Sequence, residues 1–115
     1  MDTNDQRIAI AEVCGWKVIT DSKGTHNIPP NTTIIEFMGM GEPILDLPDY
    51  LNNLNDMHEA ESIIYPHWDT YFSMLIDNRY RDANGHHPAD LSPARATAAQ
   101  RAEAFLKTLN LWIDQ

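Results

Sequence analysis

Apolar residues recur at helical spacing in the N-terminal part of the chain. Ile8, Ala11 and Cys14 are three residues apart, which predicts a helix with Thr3 or Asn4 as its N-cap that runs to Cys14 and stops at Gly15. A second region opens with Pro48-Asp49, a sequence typical of a first helical turn. Its predicted buried stripe consists of Tyr50, Leu54, Met57, Ala60 and Ile64.

A third helix is predicted after Pro66, which marks a boundary. Large apolar residues again repeat at intervals of three and four, and this pattern indicates a face buried in the core. The residues of that predicted core face are Trp68, Tyr71, Phe72, Leu75 and Ile76.

The fourth helix has a start defined by local sequence. Thr97 and Gln100 are three residues apart, as in a capping box, and Asn110 can adopt the left-handed conformation that ends a helix. We expect one apolar face, which includes Phe105 and Leu109, to dock on a sheet. The opposite face, with Arg101 among its members, is expected to face water.

Two stretches have strand composition. Residues 16–20 are aromatic and β-branched and lead into a predicted turn at 21–24, and residues 32–38 form a second run that ends at Gly39. A small sheet of this kind needs helices to cover it. The pattern therefore predicts an α+β or α/β fold, with a small sheet layered between helices in an α/β/α sandwich.

The 115 residues suit a single domain at 1–115. Residues 78–95 are poor in apolar side chains and are predicted to form a long loop.

Length and composition restrict the compartment. No run of apolar residues is long enough for a membrane span, and the acidic, polar N-terminal residues differ from a secretory signal. The single cysteine, Cys14, fits a reducing environment. We therefore expect a cytoplasmic protein without a membrane association.

The formal net charge of −9 is concentrated in the middle of the chain. Residues 24–78 contain nine carboxylates and neither Lys nor Arg, so this region is expected to repel nucleic acid. One interpretation is a solvated acidic surface that favours solubility, and the other is a binding surface for a basic protein. The predicted contributors to such a surface are Asp46, Asp49, Asp56, Glu59 and Glu61.

Two alternatives involve other side chains. A small-ligand binder, for instance one that sequesters a nucleotide signal, would need basic residues in a pocket, and the candidates are Arg79, Arg81, Arg95 and Arg101. A metal-dependent enzyme would use the histidine-containing loop, with Asp82, His86, His87 and Asp90 as ligands. His58 shares a helical face with Glu61, but neighbouring residues such as Glu59 do not. No nucleophile, phosphate-loop or paired-carboxylate motif argues for an enzyme, and we expect no catalytic residues and no cofactor.

Three blocks of the sequence together resemble a known family. They are IAIAEVCGW at 8–16, LPDYLNNLNDMHEAE at 47–61 and ATAAQRAEAFLKTLNLW at 96–112, and they cover about 41 of the 115 residues in matching order. They are similar to the phage ABA-sandwich family of small proteins from tailed phages and prophages. The resemblance implies a layered α/β/α fold and a viral origin, without catalytic residues to carry over.

The resemblance leads us to expect a non-enzymatic phage accessory protein in the cytoplasm of the infected bacterial host. Such a protein would bind a host or phage macromolecule, for instance a nucleic-acid-binding host defence protein that it inhibits, and a homo-oligomer is compatible with the sequence.

Overall fold

The computed structural model describes residues 1–22, 24–31, 46–82 and 93–114. These residues form a mixed α+β fold, as predicted, with four α-helices, one antiparallel hairpin and two 3-10 helices. In chain order the elements are α1 (Thr3–Val13), β1 (Lys17–Asp21), β2 (Gly24–Ile28), α2 (Leu54–Glu61), η1 (Ser62–His67), α3 (Trp68–Asp82), η2 (Pro93–Arg95) and α4 (Ala98–Thr108). None of the described helices has both the length and the apolar character needed to cross a membrane.

Helix α1 begins at Thr3, so its N-cap lies at least one residue before the predicted cap, Thr3 or Asn4. The carboxylate of Asp2 accepts a hydrogen bond of 2.7 Å from the Asp5 N–H, so Asp2 is the N-cap. The helix ends at Val13, and Gly15, whose φ of 101° lies in the left-handed region, provides the predicted stop. The Trp16 N–H donates to the Ala11 carbonyl at 3.0 Å, which completes the turn and directs the chain into β1.

The sheet is the hairpin β1–β2, and it packs chiefly against α1. Its register runs from Lys17 opposite Ile28 to Asp21 opposite Gly24. Gly24 was predicted to belong to a turn. Strand β2 was not predicted, because Gly-Thr-His-Asn-Ile has no strand-like alternation of apolar and polar residues. The strand predicted at 32–38 lies outside the described residues.

Helix α2 starts at Leu54 rather than near Pro48. The side chain of Asn53 accepts a 3.2 Å hydrogen bond from the Asp56 N–H and caps the helix, and the residues before it form a turn. Asparagine favours caps because its side chain competes for backbone hydrogen bonds. The prediction that Leu54 is buried was therefore wrong: it lies in the first turn and is exposed.

Helix α3 is longer than predicted. It continues to Asp82, and η2 covers residues 93–95, so the prediction of a loop over 78–95 was wrong at both ends. Asn78 is buried there, and its side chain donates a 3.2 Å hydrogen bond to the Gln100 carbonyl of α4. The rest of the predicted loop, residues 83–92, lies outside the described residues.

The capping box of α4 is confirmed. The Gln100 N–H donates to Thr97 Oγ1 at 3.1 Å, the Thr97 N–H donates to Gln100 Oε1 at 3.0 Å, and Asn110 has the predicted positive φ. Among the described elements α4 packs mainly against α3, α1 and α2, so the expectation that it docks on the sheet was wrong for the β1–β2 hairpin. Fully buried Phe105 and Leu106 place α4 at the centre of a core built by the helices.

Candidate functional site

A buried ion pair joins the end of α2 to the first turn of α4. Arg101 Nη1 lies 3.1 Å from Glu61 Oε1 and 3.0 Å from Glu61 Oε2, and the two residues are only 7% and 5% exposed. Both side chains were predicted to face water, and both predictions were wrong. Residue 101 shares a helical face with Phe105, one turn further on, and that face covers α2.

The remaining polar atoms of the Arg101 guanidinium bind backbone carbonyls near the start of α4. Nε donates to Ala96 O at 3.1 Å, and Nη2 donates to Ala94 O at 3.4 Å. A buried charge is tolerated when it is both paired and hydrogen-bonded. Arg101 therefore has a role inside the fold and is an unsuitable anchor for an external ligand.

His58 lies one helical turn before Glu61 and at the protein surface. Its Nδ1 is 3.0 Å from Glu61 Oε1, which confirms that residues 58 and 61 share a face, and its side chain is 54% exposed. When Nδ1 carries the proton and donates to Glu61, Nε2 becomes a hydrogen-bond acceptor. The carboxylate thus fixes the orientation of the imidazole.

The hydroxyl of Tyr71 is buried near this ion pair. Among the described residues it has no hydrogen-bond partner of suitable geometry. Burial, and secondly the negative charge of Glu61, raise the pKa of Tyr71 above its ordinary value of 10.0. Tyr71 therefore remains neutral in the folded protein at alkaline pH.

The variant Tyr71→Phe is expected to be as stable as the wild type or slightly more stable at pH 7, because it removes an unpaired buried hydroxyl. Above pH 10.0 the unfolded wild-type chain releases the Tyr71 proton while the folded chain keeps it, so wild-type stability falls as pH rises. The variant should lose less stability over this alkaline range in urea unfolding experiments. A loss of more than about 1 kcal/mol at pH 7 would instead indicate a formed hydrogen bond at Tyr71.

A surface pocket of about 250 Å³ opens beside the His58–Glu61 contact. We call it the η1 pocket, and its lining residues are His58, Glu61, Ser62, Tyr65 and Trp68. The rings of Tyr65 and Trp68 stack with centroids 5.6 Å apart and planes inclined by 24°. The pocket thus combines aromatic surface with a carboxylate, an imidazole and a hydroxyl.

The same two rings begin a partly exposed apolar surface along η1 and α3, in which Trp68 and Phe72 are half-buried. Four of its members follow each other at spacing i, i+4 on α3, and Tyr65 precedes them; we call this surface the aromatic row, and it consists of Tyr65, Trp68, Phe72, Ile76 and Tyr80. Tyr65 is 74% exposed, Tyr80 57% and Ile76 41%. Of the predicted core face of α3, Tyr71 and Leu75 are fully buried and Trp68 and Phe72 are half-buried against the core, whereas Ile76 is exposed, so the prediction was wrong for Ile76. An exposed row of large apolar side chains is typical of a binding surface.

Exposed carboxylates lie on α3, which carries most of the aromatic row, and on α2 before it. Glu59, Asp69 and Asp77 are exposed, and residues 46–78 contain neither Lys nor Arg. Within residues 46–78, therefore, no basic residue balances the negative charge of these carboxylates.

The structure does not bring the five predicted acidic contributors together as one exposed face. Asp46 and Glu59 are exposed, whereas Glu61 is buried against Arg101. Asp49 and Asp56 are half-buried, and Asp56 Oδ2 accepts a 2.9 Å hydrogen bond from the Asp49 N–H. Exposed Asp69 and Asp77, which sequence analysis did not select, lie closer to the apolar surface on α3.

The four candidate arginines do come together, at the junction of α3, η2 and α4. Arg79 donates to the Arg95 carbonyl at 2.7 Å and to Gln100 Oε1 at 3.3 Å. Arg81 binds Asp82 at 2.9 Å and Glu103 at 2.6 Å, and the hydrogen bond from Arg81 lowers the pKa of Asp82. A phosphate ligand would have to compete with these contacts and with the pairing of Arg101.

The predicted metal ligands can be followed only in part. Asp82 is bound by Arg81 and by Gln100 Nε2 at 3.0 Å, while His86, His87 and Asp90 lie outside the described residues. Within the described ranges, no three His, Cys, Asp or Glu side chains are grouped so that they could hold a metal ion.

The blocks that resemble the phage ABA-sandwich family fall mainly on helices. The first covers most of α1 and its C-terminal turn, the second covers α2 and the turn before it, and the third covers α4. No family model, curated protein or solved structure matches the chain. Membership of that family therefore stays a prediction, and any functional argument depends on the geometry of the surface itself.

Proposed function

We propose that this chain is a phage or prophage accessory protein that acts without catalysis by binding a basic protein partner. The aromatic row would form the centre of the interface, and the carboxylates beside it would form part of the rim. The observation that carries this proposal is the exposure of Tyr65, Ile76 and Tyr80, three large side chains of the aromatic row. The phage context is supported only by the sequence resemblance described above.

A macromolecular partner suits the row better than a small molecule does. Tyr65 and Tyr80 are separated by four helical turns, so the row is too long to be covered by one small ligand. Interfaces between proteins are enriched in tyrosine and other aromatic residues at their centres. The row has this composition, with polar and acidic side chains around it.

The charge of the chain favours a basic partner. Exposed Glu59, Asp69 and Asp77 are accompanied by neither Lys nor Arg within residues 46–78. Direct binding to phosphate backbones is disfavoured for the same reason. A protein that itself binds nucleic acid has a suitable basic groove, and occupation of that groove would inhibit it.

The double variant Ile76→Ser/Tyr80→Ser is expected to bind the partner at least about tenfold more weakly than the wild type, because it removes two apolar contacts from the interface centre. The partner would be captured from infected-cell lysate with immobilised wild-type protein, purified, and titrated by calorimetry. Both substituted side chains are exposed, so the fold should be retained. The matched control is Ile113→Ser, which removes an apolar side chain that is 65% exposed and lies beyond α4.

The electrostatic part of the proposal is tested with Asp69→Asn/Asp77→Asn. This variant should associate several-fold more slowly at low salt and nearly as fast as the wild type at high salt, since steering between exposed charges is screened. Equal affinity of the wild type and the Ile76→Ser/Tyr80→Ser variant would overturn the proposal. So would tight, direct binding of the wild-type protein to duplex DNA.

A further inference from the structure

The η1 pocket contains hydrogen-bond acceptors as well as aromatic surface. Ser62 Oγ donates a hydrogen bond of 2.9 Å to the Glu59 carbonyl. The lone pairs of this hydroxyl oxygen can still accept hydrogen bonds. In the neutral imidazole, His58 Nε2 is an acceptor when Nδ1–H donates to Glu61. Glu61 adds a carboxylate whose position is fixed by Arg101.

This combination fits a guanidinium group. A guanidinium is planar, it stacks on the faces of tryptophan and tyrosine rings, and it has five N–H donors and no acceptor. Tyr65 and Trp68 supply the rings, and the acceptors of His58 and Ser62 lie in the same lining. A lysine ammonium has no planar surface to stack on a ring, and an anion would meet acceptors and a carboxylate.

Long-range charge favours a cation here even though Arg101 compensates Glu61. Glu59 is exposed on α2, two residues before Glu61. Asp69 is exposed on α3, directly after Trp68. Among the described residues neither carboxylate forms an ion pair, and the full chain carries a net charge of −9. A second copy of the chain would bring the same negative charge, so a different, basic protein is the better source of the guanidinium.

We infer that the η1 pocket receives an arginine side chain of the partner protein, as an anchor at one end of the aromatic row. This inference rests on the proposed function, and it adds the chemical identity of one contact residue in the partner. The arginine stacks on the part of the Tyr65–Trp68 ring pair that lines the pocket, and it donates to the acceptors of His58 and Ser62. The rest of the row then covers apolar groups that surround this arginine in the partner.

The first experiment uses a short blocked peptide, acetyl-Gly-Ser-Arg-Ser-Gly-amide, and the full chain labelled with ¹⁵N. The arginine peptide should shift the indole N–H resonance of Trp68 in a saturable way at millimolar concentration. The same peptide with citrulline, which keeps the shape and loses the charge, should bind at least about fivefold more weakly, as expected when a charged stacking partner is removed. Equal shifts with both peptides would overturn the inference.

Two matched variants locate the binding. Tyr65→Ala removes a pocket ring that is 74% exposed, so it should leave the fold intact and weaken arginine-peptide binding about fivefold or more. Tyr80→Ala removes an exposed ring at the far end of the aromatic row and should leave peptide binding unchanged. Unchanged peptide binding by Tyr65→Ala would also overturn the inference.

The partner itself separates this inference from the proposed function. If Ile76→Ser/Tyr80→Ser weakens partner binding while Tyr65→Ala does not, the arginine anchor is wrong and the proposed function stands. If neither variant weakens partner binding, the proposed function is wrong, and the peptide titration still decides whether the pocket recognises arginine. Loss of partner binding in both variants, together with discrimination against citrulline, supports both.

Discussion

Phe105→Ala is expected to lower the free energy of unfolding by about 3–5 kcal/mol, which is comparable with the total stability of a small domain. Phe105 is fully buried, and it lies on the face of α4 that packs against the other helices. Truncation of its ring removes apolar contacts and leaves a cavity that the surrounding helices can fill only in part. Urea unfolding followed by circular dichroism measures this loss directly.

Thr97→Ala is the control within the same helix. It removes the side-chain acceptor for the Gln100 N–H and leaves the buried face unchanged, so it should cost only about 1 kcal/mol. Equal and small effects of the two substitutions would show that α4 does not form the centre of the core.

Arg101→Met is expected to lower the free energy of unfolding by about 3–5 kcal/mol, because it leaves the Glu61 carboxylate buried without a counter-charge. The double variant Glu61→Leu/Arg101→Met removes both charges, and it should recover most of this loss. The double variant measures what the pair contributes relative to apolar side chains. The single variant mainly measures the penalty for an unpaired buried charge.

Arg81→Met provides the matched surface comparison. Arg81 pairs with Asp82 and Glu103, but about half of its side chain is exposed, so its loss should cost at most about 1 kcal/mol. If Arg101→Met were no more destabilising than Arg81→Met, the pair with Glu61 would not be buried in solution.

Features fixed by neighbouring residues could be predicted from the sequence. The capping box of Thr97 and Gln100 and the left-handed stops at Gly15 and Asn110 depend on residues within one or two turns. The start of α2 was misplaced because two local signals compete. Pro48-Asp49 resembles a first turn, whereas the side chain of Asn53 provides the actual cap.

Features that depend on distant contacts could not be predicted in this way. Strand β2 has little strand propensity of its own and exists through its pairing with β1. The helical faces of Glu61 and Arg101 were visible in the sequence, but assigning charged residues to water assumes that they have no buried partner. Their contact spans 40 residues, and only the packing of α4 on α2 brings the two side chains together.

The candidate site shows the same limit. The spacing of Trp68, Phe72 and Ile76 indicates an apolar stripe on α3, and so does the spacing of Tyr71 and Leu75 beside it. The other helices cover Tyr71 and Leu75 completely, but they cover Trp68 and Phe72 only in part and leave Ile76 exposed. The sequence therefore contained the aromatic row, but its exposure follows from the arrangement of the other helices.

The Glu61–Arg101 pair also restricts how this protein can change during evolution. Replacement of either residue alone leaves one buried charge without its partner, whereas simultaneous replacement by apolar residues is tolerated. Each single mutation is therefore a costly intermediate between two acceptable sequences. In divergent relatives that keep this packing, positions 61 and 101 should be charged together or apolar together, and an apolar pair would leave the η1 pocket without its fixed carboxylate.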